Sequence, residues 1–167
     1  MSAVVSGRFS AEVSDDIVVL LIGARINRPW RLRSLWLVAS AMPRMLRRLA
    51  AEPELGLLHV ESFRRGRTTM AVQYWASHEQ LTRFATDPDL PHAPAWKAYM
   101  ARLASTPDVG VFHETYVVPA GNAESIYAHM PVFGLAAATR HAPADAVGHN
   151  ARARLDGARE RASERAA

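Results

Sequence analysis

Residues 111–130 read VFHETYVVPAGNAESIYAHM. The first eight are the pattern of a short apolar β-strand that carries His113, Glu114 and Tyr116, and the strand leads into an aromatic-tipped turn with Tyr127 and His129. Three titratable or hydrogen-bonding side chains within four residues of such a strand are more than packing alone calls for. On a strand, His113 and Thr115 share one face while Glu114 and Tyr116 share the other. A His–Glu pair within the strand is therefore not expected. The alternation has no clean polar face, so it leaves open which pair lines a pocket.

Working outward, residues 109–118 form the last of four strands. The first is residues 17–26, IVVLLIGARI, an apolar run rich in β-branched residues. Leu32, Leu35, Ala39, Met42, Leu46 and Leu49 then recur at helical spacing, giving one apolar face. Residues 55–64 and 68–75 read as two strands joined by a tight turn at Arg65-Gly66, a hairpin. A second helix starts at the cap Ser77, with Gln80 three residues on, and runs to about Ala85. The proline-punctuated connector DPDLPHAP stops it, and a third, short helix covers residues 95–104.

Strand, helix, strand, strand, helices, strand is the split βαβ plan: an α+β, ferredoxin-like fold with a four-stranded antiparallel sheet and helices on one face. The sheet's other face is also apolar, and a second copy of the chain is the simplest cover for it. Two such sheets face to face make a dimeric α+β barrel. Residues 15–139 hold this domain. Residues 1–14 read as a flexible arm, and residues 140–167, Ala and Arg with scattered acids and no sustained apolar face, as a disordered or frayed tail.

A chain of 167 residues, 49% hydrophobic, has enough apolar content for one real core. It has no run of 18 apolar residues and no secretory signal pattern at its start. Cysteine is absent, which excludes disulfides and thiolate chemistry and suits the cytoplasm. Net charge is +4, yet Lys97 is the only lysine. A phosphate-binding surface usually mixes Lys and Arg, so nucleic acid is not the expected partner. HExxH, clustered carboxylates, GxGxxG and GxSxG are all missing, so no metal, dinucleotide or Ser-hydrolase site is expected.

Linked motifs carry a family resemblance: INRPW (Ile26 to Trp30), AMPRML (Ala41 to Leu46), VQYW (Val72 to Trp75) and HAPAW (His92 to Trp96). To these add HETYVVPAG (His113 to Gly121), ESIY (Glu124 to Tyr127) and the MP–FGL stretch. In this order, over about residues 16–138, the chain resembles the monooxygenase-like family related to the antibiotic-biosynthesis monooxygenases and labelled after a fungal protein of the fumagillin pathway. One departure is His129, where the family tends to show Asn before the Met-Pro pair. The resemblance implies the dimeric ferredoxin-like fold. The wider superfamily includes cofactor-free oxygenases of electron-rich substrates, haem-degrading enzymes and haem-dependent aldoxime dehydratases.

His113 is the first candidate catalytic residue, since an imidazole near neutrality suits removal of an acidic C–H or O–H proton. It could equally serve as the axial ligand of haem b. His92 and Trp96 are four apart and share a helical face, placing an imidazole beside an indole N–H. Tyr74 and Trp75 point to opposite sides of their strand, so one lines the cavity and the other packs on helices, with Gln73 beside Trp75. Tyr116, Tyr127 and Glu114 complete the substrate-binding candidates, while His59 and His78 read as surface residues. The expectation is a homodimeric oxidoreductase that takes a small planar or apolar metabolite and works cofactor-free. Haem b is the alternative cofactor, and a non-catalytic dimeric ligand-binding module the alternative class.

Overall fold

The computed structural model describes residues 3–31, 36, 43, 45–87, 101 and 106–166. The expected third helix and most of the first, with His92 and Trp96, lie outside them. The apolar run IVVLLIGARI forms Ile17–Ile26 (β2), preceded by a shorter strand, Arg8–Glu12 (β1). Leu57–Arg65 (β3) and Thr68–Trp75 (β4) form the hairpin, and Val109–Val118 is β5. Arg65 pairs with Thr68, leaving a two-residue loop in which Gly66 has φ +56°, a left-handed conformation that favours glycine. The sheet order is β3-β4-β2-β5 with antiparallel pairing throughout, which is the split βαβ order the sequence predicts.

Cross-strand pairs fix what each face carries, because directly opposed residues point the same way. Val18, Leu20 and Trp75 bury themselves against Leu49 of a helical stretch, residues 45–51, and against Leu81 and Phe84 of His78–Thr86 (α1). Ser77 caps α1 as expected, its hydroxyl accepting from the Gln80 N–H at 3.1 Å.

The opposite, open face is where the structure departs from the sequence reading. Residues 8–12 are not a free arm: β1 lies between Tyr127–Ala128 (β6) and Arg140–Pro143 (β7) in a second, three-stranded sheet. Nor do residues 140–166 fray. Gly134–Ala138 (α2), β7, Ala144–Val147 (α3) and Ala151–Ala166 (α4) follow one another and fold back on β1. Two physical features hold them. Small residues seat closely, with Ala11, Ala136, Ala142, Ala144 and Ala158 all buried. The arginines of the C-terminal segment also meet acids far away in sequence: Arg140 and Arg161 meet Glu12, Arg154 meets Glu124, and Arg165 meets Asp15.

Ala11, Val13, Ile17 and Ala136 make a second core over one end of the open face, with Val19, Tyr74 and Tyr127 packed against it. The other end stays bare: Phe63, Phe112 and Tyr116 are 44%, 37% and 50% exposed. The chain's own termini therefore do part of the covering expected of a second copy.

Candidate functional site

Register settles the question the strand's alternation leaves open. His113 lies opposite Ile22 and Thr115 opposite Leu20, which puts both on the helix-packed face. Glu114 lies opposite Leu21 and Tyr116 opposite Val19, on the open face. The site candidates thus divide into two groups on opposite sides of one sheet.

On the helix-packed face His113 is exposed, and among the described residues no hydrogen bond, ion pair or ring contact engages it. Val111, 38% exposed, and Thr115 flank it along the same face of the edge strand, with Val117, 57% exposed, one step farther on. Trp75 shares this face but stands two strands away, roughly 10 Å across the sheet. It is fully buried against Phe84, ring centroids 5.5 Å apart, and its indole N–H donates to the Gln73 carboxamide oxygen at 3.0 Å. Gln73 is equally buried, and its Nε2 has no hydrogen-bond partner among the described residues.

On the open face the Tyr116 hydroxyl donates to Glu114 at 2.6 Å, and that hydrogen bond holds the phenol above its ordinary pKa. Tyr74 and Tyr127 meet farther along, under the start of α2. An atom placed where a Cβ on Gly134 would stand lies 3.3 Å from the Tyr74 hydroxyl and 3.4 Å from that of Tyr127. Gly134 itself has φ +57°, and its N–H donates to Glu61 Oε1 at 3.3 Å. The same carboxylate oxygen is 2.9 Å from His59 Nε2. Burial, then Tyr127, then Glu61 raise the Tyr74 pKa, so its phenol stays protonated at neutral pH.

His59, read from the sequence as a surface residue, and Glu61, which the sequence did not single out, stand on this face beside Tyr74. The signal was available: counting outward from the two-residue turn, strict pairing sets Glu61 opposite Val72 and His59 opposite Tyr74, and a bulge intervenes only beyond His59. Lower on this face Arg25, Phe63, Arg64, Arg65, Thr68, Met70 and Phe112 line a hollow of about 590 Å³. His129 has φ +53°, its backbone N–H donates to Gly7 O at 3.0 Å, and its ring Nδ1 accepts the Gly7 N–H at 3.5 Å. The left-handed region is enriched in both Asn and His. Backbone conformation therefore accounts for His129 standing where the resembling family tends to have Asn. Among the described residues no three His, Asp or Glu gather as a metal site, and no helix is long and apolar enough to cross a membrane.

Comparison with known proteins agrees with this fold. The family model described as "Monooxygenase af470-like" matches residues 17–135. Monooxygenase af470 of Aspergillus fumigatus is 28% identical over 76% of this chain and 52% of its own, so the chain spans about half the length of that curated relative. Among solved structures, an aldoxime dehydratase superposes with a TM-score of 0.59 at 19% identity, covering 80% of this chain and 43% of its own. SnoaB from Streptomyces nogalater, described as a cofactor-independent oxygenase, gives 0.39 at 18% identity, over 61% of this chain and 91% of its own. The first likeness is one of fold, and the second is too distant to add to it.

Proposed function

Because the chain belongs to the monooxygenase af470-like family, we propose that it is an oxidoreductase that uses O2 on a small planar or apolar metabolite. The substrate lies between the sheet and the helices. His113, or His92 from outside the described residues, takes an acidic proton to leave an electron-rich carbanion or enolate. That anion can pass one electron to O2 without a flavin. The observation that carries this reading is the exposed His113 ring, unengaged by any described neighbour and next to the exposed Val111 on the helix-packed face. Among the described residues nothing engages its ring nitrogens, so both stay open to a ligand.

Oxygen uptake with a panel of anthrones and naphthols tests it. His113→Ala should lose at least about 100-fold in turnover, the lower end of what a general base contributes, with an unchanged circular dichroism spectrum. Full activity would remove His113 from the reaction.

Haem b is the second reading, favoured by the same free ring nitrogen. His113 would hold its iron, the apolar Val111 beside it would favour a hydrophobic group, and the bound haem would supply redox or Lewis-acid chemistry. Purified protein would then show a Soret band, restored by added haemin and absent in His113→Ala. A colourless protein that ignores haemin excludes this reading.

We place the protein in the reducing cytoplasm, which suits its lack of cysteine, and as a homodimer whose second copy covers Phe63, Phe112 and Tyr116. Sedimentation equilibrium reads the stoichiometry directly, and a monomer at micromolar concentration overturns it.

A further inference from the structure

We propose that the hollow at the hairpin end of the open face binds a small amphipathic anion such as an aromatic carboxylate, its acid group on Arg25 and Arg65 and its apolar body on Phe63, Met70 and Phe112. It goes beyond the function proposed above, since it lies across the sheet from His113 and involves no reaction.

Register builds the site in rows. Phe63 lies opposite Met70, Met70 opposite Gly23 and Gly23 opposite Phe112, so one row crosses all four strands without a polar side chain. Two residues closer to the turn, roughly 7 Å along the strands, the next row on the same face is Arg65, Thr68, Arg25 and Gly110. A Cβ on Gly23 would stand 2.6 Å from the Phe112 ring, so the missing side chain is what lets that ring lie across β2. Phe63 is held at the other end by Phe133, edge to face, with ring centroids 6.3 Å apart. The row on the far side carries Glu61 and Glu114, and both are already engaged, Glu61 by His59 and Gly134 and Glu114 by Tyr116. The floor is apolar, and the uncommitted charge beside it is positive.

That charge singles the hollow out. Arg25 meets the Thr68 hydroxyl at 3.5 Å, and Arg64, also lining the hollow, donates to Gly66 O at 3.2 Å. Among the described residues no acid pairs with Arg25, Arg64 or Arg65, whereas Arg48, Arg140, Arg154 and Arg165 each meet one. Arginine stems kept only to shield an apolar surface would lie over it and close it. Here the hollow stands open at about 590 Å³, the size of a small-ligand site. A carboxylate accepts two parallel N–H bonds from a guanidinium, and an aromatic body packs well against phenylalanine rings.

The test is calorimetric titration of the whole protein, at low salt, with 2-naphthoate and with its neutral counterpart 2-naphthamide. The acid should bind saturably and the amide at least about tenfold more weakly, since it has no charge for the arginines to meet. Arg25→Gln/Arg65→Gln, at two exposed positions, should lower naphthoate affinity to that of the amide and leave the amide's own unchanged. Phe63→Ala should weaken both. His113→Ala should bind both as the parent does, which separates this site from the one proposed for catalysis. The acid–amide comparison in the parent decides the matter even where the arginine variant does not fold. No binding, acid and amide bound alike, full naphthoate binding in the arginine variant, or binding lost with His113 each overturns the site. So does an affinity that falls as protein concentration rises, which would make a second copy of the chain the occupant of the hollow.

Discussion

Trp75→Ala is expected to lower the free energy of unfolding by about 3–5 kcal/mol, the cost of emptying a core position of an aromatic ring. Sequence alone counts Trp75 among the residues that could touch a substrate. Its surroundings make it a core residue: 1% exposed, tilted against Phe84, and in one cluster with Val18, Leu20, Leu49 and Leu81. Truncation would also strand Gln73, whose carboxamide oxygen then loses the indole N–H while its Nε2 already lacks a partner among the described residues. Trp75→Phe separates the two contributions. Most of the apolar contact survives, but a buried acceptor is left unpaired, at about 1–3 kcal/mol. Urea denaturation followed by circular dichroism measures both. If the alanine variant loses less than about 1 kcal/mol, the ring is not packed as described.

What the sequence makes legible follows from which signals are local. β2, the hairpin and the Ser77 cap rest on residues within a few positions of one another, and each forms where expected. The facing of β5 was not legible, because apolar and polar residues alternate without separating; it takes the pairing of His113 with Ile22 and Glu114 with Leu21 to assign sides. His59 looks like a surface residue of a hairpin until its register with Tyr74 is counted, and nothing local announces that Gly134 packs against the Tyr74 and Tyr127 hydroxyls. The C-terminal elements were illegible for another reason. Their apolar contacts come mainly from alanines, too weak in hydropathy to show a period. Their charge partners are distant, with Arg154 30 positions from Glu124 and Arg165 150 from Asp15. A composition typical of a disordered tail is here a set of arginines whose acids lie elsewhere.

That difference sets the second large effect. Glu124→Ala should destabilise the C-terminal unit by about 3–5 kcal/mol, because it leaves a buried guanidinium without its counter-charge. The Arg154 side chain is 6% exposed; Nε donates to Glu124 Oε1 at 2.6 Å, a second nitrogen meets the same oxygen, and Nη1 donates to Gly148 O at 3.2 Å. Guanidinium does not neutralise at working pH, so a lone carbonyl would have to satisfy it. Arg154→Met should cost less, since methionine suits the buried space and Glu124, 27% exposed, can be rehydrated. Asp15→Ala, which breaks the exposed pair with Arg165, should cost at most about 1 kcal/mol. Hydrogen exchange is the better measure, because the loss should appear first in β1, β7 and α4 while β2 and β4 stay protected. The ranking Glu124→Ala, then Arg154→Met, then Asp15→Ala follows from how much water each orphaned partner can recover. Equal protection in Glu124→Ala and the parent would mean that the pair does not hold the C-terminal helix down, and that the alanine contacts alone do.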